Sequence, residues 1–193
     1  YELPIDASFD LPPHAIHGTA YRQAWDVDSV GDDRVVLGCD LAWVLGGRAW
    51  QSIELAENRL ECVLGVAAGD QPMPAEVGWH PWFVKPESLS FDPLSMYVRD
   101  GDGIPTGELV SPPPGPWDDC FVNTEPVHLH HAELTLTVTS DCDHWVVFDE
   151  PAHATCVEPQ SGPPDAFNIE PRVLAPGAQL VRTMTIDWRR TTG

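Results

Sequence analysis

Four short segments of this 193-residue chain combine an ionisable side chain with glycine, proline or aromatic neighbours. They are "PPHAIHG" at 12–18, "GWHPWF" at 78–83, "PWDDCFV" at 116–122 and "CVEPQSGPPDAFN" at 156–168. Each sets an imidazole or a carboxylate at the edge of an apolar or aromatic stretch. That combination suits a sugar: the C–H faces of a pyranose pack on rings, and its hydroxyls need charged or amide partners. Glu158 stands out among them. It follows Thr155-Cys156-Val157 directly, and Pro159, Pro163 and Pro164 stiffen what comes after. A carboxylate at the end of such a run must find partners or reach solvent. Taken alone, His80 also reads as an imidazole bonded to backbone, and Asp118-Asp119 as a turn.

The elements that would carry these segments are strands. Apolar and polar residues alternate over 48–69, 132–140, 144–150 and 179–189, the period of strands half-buried in a sheet. Helical periodicity is scarce. Proline-rich stretches at 111–116 and 159–164 read as loops. No fixed-period repeat or low-complexity linker divides the chain. The expectation is one all-β domain over 1–193, with two packed antiparallel sheets.

Bulk properties narrow the partners. A net charge of −20, from 30 acidic against 10 basic residues, argues against nucleic acid and against anionic membrane surfaces. Five cysteines, Cys39, Cys62, Cys120, Cys142 and Cys156, are odd in number and none is CxxC-spaced. They read as reduced thiols in a cytoplasm. No run approaches 18 apolar residues, and "YELPIDASFD" lacks a signal-peptide pattern.

In order along the chain, the four segments resemble the aldose 1-epimerase (galactose mutarotase) family. His17-Gly18 matches its His-Gly, His80-Pro81-Trp82-Phe83 its His-Pro-aromatic-Phe, and Asp118 with Phe121 its Asp three residues before a Phe. Cys156-Val157-Glu158-Pro159-Gln160 followed by Pro164-Asp165-Ala166 matches its most specific motif. The resemblance runs from about residue 1 to 188 and implies a galactose-mutarotase-like antiparallel β-sandwich. It implies an isomerase that interconverts the α and β anomers of an aldohexose by opening and closing the ring. Glu158 is then the catalytic base and His80 the acid, with His17 and Asp118 as substrate-binding residues. No metal and no organic cofactor is implied. Reference pKa values of about 4.3 for Glu and about 6.5 for His allow a charged imidazole beside an ionised carboxylate near neutral pH. The alternative is a catalytically silent carbohydrate-binding or regulatory protein on the same sandwich.

Two departures qualify the resemblance. Family members usually carry a Gly-Arg-x-x-Asn-like segment before the His-Gly, and nothing here matches it. The expectation is that an N-terminal portion is either absent from this chain or lost in this member, so one substrate-contacting Arg has no counterpart. In the hexose-6-phosphate branch His-Gly is followed by Phe-Ala-Arg. Here "HGTAYR" moves the Arg one position, to Arg22, which on a strand turns it to the opposite face. "VHLHHAE" at 127–133 places His128 and His130 on one strand face, but without a third ligand it reads as a solvent-facing cluster at a turn.

Overall fold

The computed structural model describes residues 16–191, and the alternating runs form antiparallel ladders. In chain order the strands are β1 (Asp26–Val30), β2 (Arg34–Asp40), β3 (Arg48–Ala56), β4 (Arg59–Ala67), β5 (Met73–Pro74), β6 (Trp82–Val84), β7 (Ser88–Ser90) and β8 (Ser95–Arg99). There follow β9 (Pro105–Val110), β10 (Asp118–Val122), β11 (Val127–His130), β12 (Leu134–Ser140), β13 (His144–Phe148), β14 (Ala154–Gln160), β15 (Val173–Leu174) and β16 (Gln179–Arg190). An eight-stranded sheet has the order β1-β2-β3-β4-β16-β12-β11-β7, and a six-stranded sheet the order β6-β14-β13-β10-β8-β9. A small third sheet pairs β15 with β5. Among the described residues, helix is confined to a 3-10 turn at Ala20–Arg22 and one turn of α-helix, α1, at Ala166–Ile169.

The two large sheets pack face to face. Cys62, Val127, Leu129, Val138 and Met184 from the eight-stranded sheet meet Trp145 and Val157 from the six-stranded one, all buried. These side chains alternate with residues on the far face of each strand, which is how a period of two becomes a sandwich core. On β14 the alternation sends Thr155, Val157 and Pro159 one way, and Cys156, Glu158 and Gln160 the other. The second set faces away from the main core. A second cluster, Val66, Ala68, Met73, Ala75, Leu174 and Leu180, anchors the segment that leads into His80.

Two local expectations are corrected. The stretch 159–164 is not wholly loop, because Pro159 and Gln160 complete β14. Pro159 is tolerated in this inner strand because β6 pairs only with residues 154–156. Its carbonyl accepts from Trp79 N–H at 3.1 Å, so the missing N–H points to the same side, where no ladder donor is needed. Arg22 lies in the 3-10 turn and not on a strand, so the face-flipping argument does not apply to it. Its guanidinium instead lies against its neighbour, with Nε donating to the Tyr21 hydroxyl at 2.7 Å.

Candidate active site

Glu158 comes to the site by strand alternation. It sits late in β14, opposite Val146 on β13, and is only 5% exposed. His80 approaches from the segment before β6, and its Nδ1 lies 3.3 Å from Glu158 Oε1. The His80 ring keeps 35% of its side-chain surface exposed, so the pair is closed on the protein side and open on the other. The Trp82 ring stacks parallel to His80, at 5.8 Å between centroids and 9° between planes. Phe148 meets Trp82 edge-on.

His17 completes the cluster. Its ring meets His80 edge-on, with centroids 4.8 Å apart. The backbone there is unusual: His17 has φ 62° and Gly18 φ 65°, two left-handed residues in succession. For a non-glycine residue this conformation is uncommon and is sustained by the surrounding structure, a pattern concentrated at functional sites. Residues 12–15 of the same segment lie outside the described residues.

Asp118 is on the same sheet face, since the ladder runs Asp118, Phe148, Cys156 across three adjacent strands. Two strand spacings, about 10 Å, separate it from β14. Its carboxylate is half exposed and paired with Arg99 at 3.4 Å. The structure thus brings His17, His80 and Glu158 into contact and leaves Asp118 at the margin.

Burial sets the proton balance. It raises Glu158 to about 8, with the Asp118 charge pushing the same way and hydrogen bonds from Cys156 and Gln160 opposing. Burial also lowers His80 below 6.5; the neighbouring His17 adds to this, while a hydrogen bond to its own backbone opposes it. His17 is lowered by burial as well. As an ion pair, the 3.3 Å contact would move Glu158 down and His80 up; both move the other way, so desolvation wins. Near neutral pH both shifts favour a neutral carboxyl–imidazole pair sharing one proton. Ordinary pKa values place that proton on His80; burial places it on Glu158.

This has a consequence for stability. Between 4.5 and about 8 the folded state keeps a Glu158 proton that the unfolded chain has lost. Stability from this group therefore falls as pH rises through that window. Glu158→Gln removes the penalty, which is at most about 5 kcal/mol at roughly 1.4 kcal/mol per pKa unit. The variant should melt above the wild type at pH 8.5, with a gap that shrinks towards pH 4.5. An equal gap at both values in thermal melts would disprove it.

Sequence reasoning missed three neighbours. Cys156 could have been found, because spacing i, i+2 on a strand puts it beside Glu158. Trp82 stands two residues after His80 in the same motif. Arg99 carries no local signal; Asp118 and Asp119 hold it from another strand, at 3.4 Å and 3.0 Å. A cavity of about 310 Å³ opens at His17 and continues past Trp25, Trp43, Trp79 and Phe167. Glu158 and His80 do not line it, so the chemistry is assigned to the imidazole–carboxylate cluster and not to the cavity.

Among the described residues, His80, Cys156 and Glu158 form a group whose ligand atoms all lie within 4.8 Å of one another. His128 and His130 differ from expectation. They lie within β11 and are half-buried, with rings 6.1 Å apart. His128 Nδ1 is 3.0 Å from Thr137 Oγ1, and His130 Nε2 is 2.9 Å from Ser90 Oγ.

The antiparallel sandwich is the fold of galactose mutarotase-like structures. The family model described as aldose 1-epimerase matches residues 1–187, and the chain belongs to that family. Its fold is similar to that of a galactose mutarotase-like protein from Clostridium acetobutylicum, with a TM-score of 0.82 at 16% identity, covering 99% of this chain and 73% of that one. A galactose 1-epimerase from Lactobacillus acidophilus NCFM gives 0.75 at 15%, covering 88% and 68%. An aldose epimerase homologue from C. elegans gives 0.75 at 13%, covering 88% and 70%. The search of curated proteins returns no match.

Proposed function

We propose that this protein is an aldose 1-epimerase that interconverts the α and β anomers of an aldohexose. The observation that carries the reading is the 3.3 Å approach of His80 Nδ1 to Glu158 Oε1, which puts an imidazole and a carboxyl group in contact. Ring opening takes the proton from the anomeric hydroxyl and gives one to the ring oxygen. Both oxygens are bonded to C1, so two groups in contact can serve them together. In the opening step the shared proton first passes from Glu158 to His80; Glu158, now ionised, accepts the hydroxyl proton, and His80, now protonated, donates to the ring oxygen. The C1–O5 bond breaks and C1 becomes an aldehyde. After rotation about C1–C2, His80 takes the O5 proton back, Glu158 reprotonates the carbonyl oxygen, and the ring closes on the other face. The pair holds one proton at every stage. His17 donates a hydrogen bond near the ring oxygen, Asp118 fixes sugar hydroxyls, and the Trp82 ring offers a sugar face a surface to pack on.

The test is polarimetry of freshly dissolved α-D-glucose and α-D-galactose with and without protein. Acceleration supports the reading. Binding of either sugar without acceleration would replace it by the silent carbohydrate-binding alternative. Exhaustive chelation with EDTA should leave the rate unchanged, because each step uses only side-chain protons. Loss of turnover restored by one specific metal would overturn that. A cytoplasmic location fits the five free, buried cysteines.

A further inference from the structure

We propose that His80, Cys156 and Glu158 form a zinc-binding site, and that zinc seated there switches the acid–base cluster off. The three ligand atoms, an imidazole nitrogen, a thiol sulfur and a carboxylate oxygen, lie within 4.8 Å of one another. Zinc bonds of about 2.0–2.1 Å to N and O and about 2.3 Å to S, at tetrahedral angles, put ligand atoms about 3.3–3.6 Å apart. His80 Nδ1 and Glu158 Oε1 already stand at 3.3 Å. Cys156 Sγ has to close by no more than about 1.3 Å, within reach of a side-chain torsion.

The backbone presents the two deeper ligands together. Cys156 and Glu158 alternate onto one face of β14, and β13 pins both through the pairs Phe148–Cys156 and Val146–Glu158. A buried cysteine is usually a small apolar filler. This one faces away from the sandwich core and hydrogen-bonds the carboxylate. His80, the most exposed of the three, stands on the solvent side of the group, with 35% of its side-chain surface exposed. An imidazole and a thiolate select zinc over magnesium or calcium, which prefer oxygen alone.

Binding is proton-balanced. The Cys156 thiol proton and the proton shared by His80 and Glu158 leave for solvent, while one Zn²⁺ enters and no electron moves. Affinity therefore rises with pH. With the His80 lone pair and a Glu158 oxygen committed to the metal, the pair gives up its shared proton and can no longer pass it between acid and base. Inhibition rests on the proposed mutarotase reading; binding does not.

The experiment is calorimetric titration of the chain with ZnCl₂, together with Co²⁺ substitution read in the near-ultraviolet for thiolate-to-metal charge transfer. One equivalent should bind. Affinity should fall by on the order of 10²-fold or more in Cys156→Ser and in His80→Ala, since even supporting groups around a metal cost 10–100-fold. A His128→Gln/His130→Gln double variant should bind as the wild type does. The charge-transfer band should be present in the wild type and absent from Cys156→Ser. Unchanged affinity in both single variants, loss in the double variant, or a cobalt spectrum without a thiolate band would each overturn the site. If Cys156→Ser does not fold, His80→Ala and the wild-type cobalt spectrum decide. In polarimetry, zinc should inhibit in proportion to occupancy and EDTA should restore the rate. A chain that binds zinc as described but turns over no sugar would sink the mutarotase reading and leave the zinc site standing.

Discussion

Replacing Glu158 by Gln is expected to slow anomer interconversion by at least about two orders of magnitude, the usual contribution of a positioned acid–base group. The amide keeps the size of the carboxyl and its capacity to hydrogen-bond, but it cannot take a proton from the anomeric hydroxyl or return one. Sugar affinity should stay within roughly tenfold, so the loss should appear in kcat and not in KM. Near-full activity in polarimetric progress curves would make Glu158 a structural acid and end the assignment.

The second large effect separates the two histidines. Turnover requires the His80–Glu158 pair to hold one proton, so kcat/KM should be bell-shaped in pH, with limbs that belong to the pair. The basic limb, where the last proton leaves, should fall near the value of about 8 that burial gives Glu158. The acidic limb, where a second proton arrives, should lie below 6.5, because His80 is lowered. Ordinary pKa values assign the limbs the other way round. His80→Asn should lower kcat by about 10²-fold or more and abolish the acidic limb. His17→Asn retains a donor, so its loss should be milder and partly in KM, with both limbs intact. If the acidic limb disappears with His17 and survives in the His80 variant, the two histidines have exchanged roles.

The main strands were legible because alternation is local: 132–140 and 144–150 appear as β12 and β13 with small end adjustments. Glu158 and His80 stand out as candidates through their motifs. What the sequence could not supply was their mutual distance and depth. Those depend on β14 pairing with β13 and β6, and on the 73–79 segment anchored by the second cluster. The proton's resting place depends on that depth, which reference pKa values do not contain. "HGTAYR" was too short to show a period, and a turn was read as a strand. In "CVEPQSGPP" the prolines masked the end of a strand, because whether Pro159 ends a ladder depends on which side its absent N–H faces.

A carboxyl and an imidazole close enough to trade a proton directly do not have to obtain one from solvent. Whichever anomer departs, passage across the 3.3 Å contact returns the site to one starting state, so no recharging step follows product release. The pair's net charge is zero with the proton on either partner. The step therefore leaves the net charge of the site unchanged, so salt that screens the field of a chain carrying −20 has little to act on. On the proposed mechanism, turnover draws little on buffer, and of the acidic exterior the nearby Asp118 bears on the pair by raising Glu158.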